Sequence, residues 1–185
     1  VPYEPHPLSA EGYLQAENSL ADRGVVTFGL CHGAYGLHTL IGSENFAFWS
    51  VDPDIRATLL ELATIYARRV RAHAQAALSA GVRGVFAWVG PELFIPPLLS
   101  PEDFEDFVVE LDQPLIDDIH DAGALVWVHS HGNMKRMIGR FAAMDIDVLN
   151  PIEPPPMGDL TLDEAFRIVG HRMGLEGGIE SHDLM

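Results

Sequence analysis

The chain has 185 residues, 48% of them hydrophobic and 21% charged, a composition typical of a globular domain with one sizeable core. Acidic residues number 27 against 11 basic ones, for a net charge of −16, and this excess disfavours nucleic acid and anionic membranes as partners because their phosphates would be repelled. No stretch has the length of a membrane span, the first residues lack the features of a secretory signal, and the single cysteine cannot form an internal disulfide. We therefore expect a cytoplasmic protein.

Apolar runs alternate with helical patterns along the chain. Five strands are predicted, at residues 25–30, 84–89, 125–129, 147–150 and 173–179. Five helices are predicted, at residues 9–21, 53–81, 100–123, 135–143 and 161–169. Residues 31–50 hold glycines and aromatics without a clear period, so we expect a long loop there with at most a short helix inside it.

Helix boundaries carry recognisable signals. Asp52 followed by Pro53 is a good start for the longest helix, and Ser100 and Thr161 each begin a capping pattern with an acid in the first turn. Pro114 lies inside the predicted helix at 100–123 and is expected to kink it near its middle.

Strands that alternate with helices predict a parallel sheet covered by helices, the α/β class. No glycine-rich phosphate loop is present, which favours a (β/α)8 barrel over an open doubly wound sheet. Such a barrel needs about 250 residues and eight βα units. Five units therefore predict one partial barrel domain over residues 1–185. Either these residues are part of a longer protein that supplies the missing strands, or another chain, such as a second copy in a homodimer, covers the open sheet edges.

Two histidines stand two residues apart where the third predicted strand meets its loop. They are His129 and His131, in the run His129–Ser130–His131–Gly132. Alternate strand residues share a face, so both rings are expected to project into one cleft as a metal or acid/base site. The alternative is that each ring only hydrogen-bonds a neighbouring carbonyl, and two ligands do not complete a zinc site.

Polar residues follow each predicted strand, and in barrels the active site lies at that end of the sheet. The candidates are His32, Glu92, His129 with His131, Glu153 and Glu180. Each of them could instead only cap the next helix. Trp88 and Cys31 are interpreted as core residues rather than as a cofactor stack and a reactive thiol.

Several runs between residues 61 and 185 resemble, in order and spacing, the uroporphyrinogen decarboxylase superfamily, which includes cobamide-dependent methyltransferases. The runs are residues 96–104 with 107–108, the IHDAG segment at 119–123, VHSHGN at 128–133, DVLNPIEP at 147–154, GHRM at 170–173 and LEGGI at 175–179. The resemblance implies a (β/α)8 barrel with its active site at the carboxyl ends of the strands.

Members that transfer methyl groups from corrinoid proteins hold zinc with an H-x-C motif and a distant cysteine. Here His131 stands at the cysteine position and no later cysteine follows, so a zinc site would comprise His129, His131 and Glu153, or its third ligand would lie outside this chain. These three residues are also the candidate catalytic residues. The resemblance further implies a small-molecule substrate, lined by His32, Tyr35, Glu92, Asn150 and Glu180, and a corrinoid-protein partner.

Two other functions stay open at this point. A uroporphyrinogen decarboxylase would need cations for a polycarboxylate substrate, but residues 1–22 contain no arginine. A non-catalytic corrinoid-binding or assembly subunit would borrow the fold without its chemistry. The leading hypothesis is a corrinoid-linked methyltransferase, serving for example the O-demethylation of aromatic methyl ethers.

Overall fold

A computed structural model describes residues 8–179 of the chain. Its five strands are β1 (Thr27–Cys31), β2 (Val85–Val89), β3 (Leu125–His129), β4 (Val148–Ile152) and β5 (Gly174–Gly177). They form one sheet in the order β1-β2-β3-β4-β5, and every neighbouring pair is parallel. The predicted α/β class with a parallel sheet is confirmed.

Within residues 8–179, eight α-helices accompany the sheet. They are α1 (Leu8–Leu20), α2 (Tyr35–Ile41), α3 (Ser43–Ser50), α4 (Pro53–Ser79), α5 (Pro101–Phe104), α6 (Glu110–Asp121), α7 (Ile138–Ala143) and α8 (Leu162–Val169). A π-helical segment, Glu105–Val109, joins α5 to α6. No helix among residues 8–179 is long and apolar enough to cross a bilayer.

The two faces of the sheet differ in burial because side chains alternate along each strand. One face carries the buried side chains Phe28, Leu30, Phe86, Trp88, Val126, Val128 and Leu149, which pack with helix residues in the main core. On the other face Thr27 and Gly29 are exposed, Leu125 is 48% exposed, and Trp127 and His129 are half-buried. A sequential strand order with right-handed crossovers places consecutive helices on one side, which accounts for the difference.

The predicted helix starts are confirmed at three places. The Asp52 carboxylate accepts a hydrogen bond from the Asp54 amide at 2.9 Å at the start of α4. Ser100 and Thr161 each form a reciprocal capping box with the acid three residues later. These caps satisfy amides that would otherwise lack partners in the first helical turn.

Charged pairs dock α4 against α6. The Arg71 guanidinium donates to both oxygens of Asp118, at 2.6 and 2.8 Å. This bidentate contact lowers the pKa of Asp118 and raises that of Arg71. The long α4 helix is thereby held against the helix that leads into β3.

Two sequence expectations are wrong in detail. Residues 31–50 are mostly helical, in α2 and α3, because short helices of glycine-rich and aromatic residues show no clear period. The helix expected at 135–143 begins only at Ile138. The helix expected at 100–123 includes the π-helical segment, and Pro114 lies inside α6; the kink expected there stays a prediction.

Candidate functional site

The rings of His129 and His131 lie side by side at the carboxyl end of β3. Their centroids are 4.6 Å apart and their planes are perpendicular. Strand β3 ends at His129, but the Ser130 amide donates to the Asn150 carbonyl at 2.7 Å and extends the ladder by one residue. This extension keeps His131 on the same side as His129, as the two-residue spacing predicts.

Glu153 is the partner of His131. One carboxylate oxygen, Oε1, lies 3.0 Å from His131 Nδ1, and the other, Oε2, accepts from the Gly132 amide at 2.9 Å. An ionised carboxylate can only accept, so Nδ1 of His131 carries a proton, and in the neutral ring the lone pair is on Nε2. Gly132 makes the tight approach possible because its φ is +96°, a conformation that side chains rarely adopt.

Asn150 is the partner of His129. The two residues are register neighbours in the β3–β4 pair, and the side-chain carbonyl oxygen of Asn150, Oδ1, lies 2.8 Å from His129 Nδ1. A carbonyl oxygen also only accepts, so this ring too carries its proton on Nδ1. The β4–β5 register shifts between Leu149 and Ile152, and such an irregularity re-aims nearby side chains.

Trp127 lies against the far side of the His129 ring. The two ring planes are nearly parallel, at 15°, and their centroids are 5.7 Å apart. The indole Nε1 donates to Glu176 Oε2 at 2.7 Å, so the cluster extends from β3 to β5. The candidate site therefore consists of His129, His131, Asn150 and Glu153, with Trp127 and Glu176 beneath it.

His32 does not belong to this cluster, which contradicts its assignment to the substrate-lining set. It follows Phe28 and Leu30 in alternation, so it faces the helices and is fully buried. The Ala34 amide donates to its Nδ1 at 3.3 Å, and its Nε2 has no hydrogen-bond partner among residues 8–179. Phe94 packs edge-on against the ring at 4.3 Å.

The other substrate-lining candidates diverge. Tyr35 is half-buried and packs edge-on against His32, at a centroid distance of 6.3 Å. Glu92 is partly buried, and its Oε2 has no hydrogen-bond partner in the described chain. Neither residue contacts the histidine pair. Glu180 lies outside the described residues.

The two residues interpreted as core occupy different places. Trp88 is buried between the sheet and the helices, as expected for a core residue. Cys31 ends β1 on the more open face, in the same register row as His129, and is half-buried. Burial raises the pKa of its thiol, which makes the thiol less nucleophilic near neutral pH.

The structure does not assemble the expected three-residue zinc site. Within residues 8–179 no group of three histidine, cysteine or acidic side chains could hold a metal ion. Both oxygens of Glu153 are engaged by His131 and Gly132. The histidines themselves suit a metal: Nδ1 of each ring is held by an acceptor, as in most metal-binding histidines, and no described residue hydrogen-bonds to either Nε2.

Comparison with known proteins adds no relative to this geometry. No family model matches the chain, no curated protein matches it, and no solved structure matches it. The similarity to the uroporphyrinogen decarboxylase superfamily therefore stays a prediction from the sequence.

Sequence reasoning missed the two residues beneath the histidine pair. Trp127 stands two positions before His129 and so shares its face, a signal that was present in the sequence. Glu176 carried no signal, because its contact with Trp127 depends on how β5 aligns with the rest of the sheet. Asp112 was also missed; it is buried in α6 and accepts from the Gly33 amide at 2.9 Å.

Proposed function

We propose that this chain is a (β/α)-barrel enzyme of the uroporphyrinogen decarboxylase superfamily that transfers methyl groups from a corrinoid carried by a partner protein to a small-molecule acceptor. The observation that carries the proposal is the histidine pair at the strand end. Both rings have their Nδ1 held by the protein, and neither Nε2 has a hydrogen-bond partner among residues 8–179. Strand carboxyl ends are where barrel enzymes place their catalytic residues.

The proposed centre is a zinc site to which His129 and His131 would each contribute Nε2, with the remaining ligands supplied from outside residues 8–179. Glu153 acts as the acceptor that orients His131 instead of as a direct ligand, since both of its oxygens are occupied. Asn150 does the same for His129. Bound zinc would lower the pKa of an acceptor thiol or hydroxyl towards neutral pH.

Hydrogen bonds fix the orientation and the tautomer of the His131 ring. Glu153 holds the proton of His131 on Nδ1, and the Gly132 amide holds Glu153 in place, so the imidazole cannot rotate or change tautomer without losing its hydrogen bond to Glu153. Loss of such a partner lowers metal affinity or activity by about 10- to 100-fold in other metal sites.

A second candidate chemistry uses no metal at the same place. A carboxylate that holds Nδ1–H of a histidine leaves Nε2 as a general base, and His131 with Glu153 has this arrangement. The observation that favours it is the lack of a three-residue metal group within residues 8–179. In this version Nε2 of His131 takes the acceptor proton directly.

The experiment measures zinc content by mass spectrometry and methyl transfer from methylcobalamin to a thiol by the visible absorption of cobalamin. We expect about one zinc ion per chain, lost in His129→Ala and in His131→Ala, with methyl transfer reduced by at least about 100-fold in both. His171→Ala, which changes an exposed histidine outside the site, is the matched control.

The outcomes separate the candidates. Absence of zinc together with a loss of methyl transfer in His131→Ala, but not in His129→Ala, overturns the metal site and supports the general base. Full methyl transfer in both variants overturns the assigned site. Carbon dioxide release from uroporphyrinogen, without methyl transfer, would replace the proposed function with decarboxylation.

A further inference from the structure

We propose that Trp127 and Glu176 are positioning residues that fix the plane of the His129 ring, an inference that rests on the proposed role of His129 Nε2. Trp127 touches neither acceptor nor metal in this proposal. It acts through His129, and Glu176 acts through Trp127.

The indole of Trp127 lies against the imidazole of His129. Trp127 and His129 share one face of β3, and their planes are nearly parallel, at 15°, with centroids 5.7 Å apart. The hydrogen bond from His129 Nδ1 to Asn150 fixes one atom of the imidazole. A flat indole along the ring face restricts the rotation that this single bond still permits.

Trp127 is itself held by a hydrogen bond to Glu176. Its indole N–H donates to the Glu176 carboxylate at 2.7 Å, a short, charge-assisted bond between β3 and β5. Glu176 is exposed and Trp127 is only half-buried, so the apolar core does not require this bond. Trp88, on the opposite face, is fully buried and its Nε1 has no hydrogen-bond partner among the described residues.

His131 also contacts the His129 ring. Its ring meets His129 edge-on at 4.6 Å. The imidazole of His129 therefore has Trp127 along its face, His131 against it at a right angle and Asn150 at Nδ1. These three contacts leave one direction for Nε2, so the aim of the proposed ligand atom depends on Trp127.

The test uses two measurements on the full chain. Long-range ¹H–¹⁵N NMR of the metal-free protein reports the tautomer and mobility of the His129 ring, and Co²⁺ titration reports affinity and the visible bands of the bound ion. We expect Trp127→Leu to broaden the His129 ring signals, to weaken Co²⁺ binding about tenfold and to shift the Co²⁺ bands.

Conservative variants of Trp127 and Glu176 should have graded effects on the His129 signals and on Co²⁺ binding. Trp127→Phe keeps a flat ring but loses the bond to Glu176, so its effect should lie between those of the wild type and Trp127→Leu. Glu176→Gln keeps an acceptor oxygen and should stay near the wild type, whereas Glu176→Ala should resemble Trp127→Phe. Trp49→Leu, at a partly exposed tryptophan in α3, is the matched control.

The results distinguish this inference from the proposed function. Unchanged His129 NMR signals and unchanged Co²⁺ bands in Trp127→Leu overturn the positioning role, while loss of Co²⁺ in His129→Ala still supports the metal site. If the wild type binds no Co²⁺ but Trp127→Leu broadens the His129 signals, the positioning role stands and the metal site falls.

Discussion

His32 and His131 each lie beside a carboxylate, and the two pairs occupy opposite environments. The side chains of His32 and Asp112 are 0% and 1% exposed, whereas those of His131 and Glu153 are 51% and 16% exposed. Both pairs lie at the carboxyl end of the sheet. Proximity of a histidine to an acid therefore does not by itself identify a catalytic pair.

The hydrogen bonds of the two pairs explain the difference. Nδ1 of His32 accepts from the Ala34 amide, so its proton is on Nε2 and its nearest Asp112 oxygen, 3.5 Å away, is not its hydrogen-bond partner. Asp112 instead accepts from the Gly33 amide. The buried pair thus ties a loop to α6, while the exposed pair leaves a lone pair of His131 directed away from Glu153.

The largest effect that would sharpen this comparison is on stability. Asp112→Ala leaves the buried Gly33 amide without an acceptor and opens a cavity, so we expect a loss of about 3 kcal/mol in the free energy of unfolding. Urea denaturation measures it. Asp112→Asn keeps one acceptor oxygen and should cost less than half as much; equal losses in the two variants would contradict the assigned role of Asp112.

Glu153→Ala should have a small effect on stability and a large effect on activity. It removes one hydrogen bond from a backbone amide and one from an exposed ring, so we expect a loss of only about 1 kcal/mol in the free energy of unfolding. Methyl transfer should nevertheless fall at least tenfold. A stability loss as large as that of Asp112→Ala, with activity retained, would remove the distinction between the two pairs.

The smallest effect concerns pH. Burial lowers the pKa of His38, which packs against Phe46 and Phe94. Its folded pKa is below the unfolded value of 6.5, so below about pH 6.5 the unfolded chain binds a proton that the folded chain does not. The free energy of unfolding should therefore fall as the pH is lowered from 6.5.

The slope attributable to His38 can reach about 1.4 kcal/mol per pH unit. Denaturation midpoints measured across this pH range should fall less steeply in His38→Gln than in the wild type. His171→Gln, at an exposed histidine, is the matched control. An unchanged slope in His38→Gln would show that burial of this ring does not govern the acid response.

The strands and the long helix were predictable from the sequence because apolar runs and caps are local signals. Alternation from Phe28 and Leu30 also indicates that His32 faces the helices, a signal that its assignment to the open end overlooked. The hydrogen bond from His129 to Asn150 depends on the β3–β4 register, and the burial of Asp112 depends on how α6 packs. Neither is encoded within a few neighbouring residues, so sequence patterns could not supply them.

Asn150 and Glu153 serve different histidines but come from one irregular stretch at the end of β4. Loss or gain of one residue between them would displace at least one of the two acceptors, and no substitution elsewhere could restore their spacing. Length variation in this part of the chain should therefore be far less tolerated than on the helical side. One insertion or deletion in this stretch can disturb the hydrogen bonds of both histidines, an effect that a survey of single substitutions would not detect.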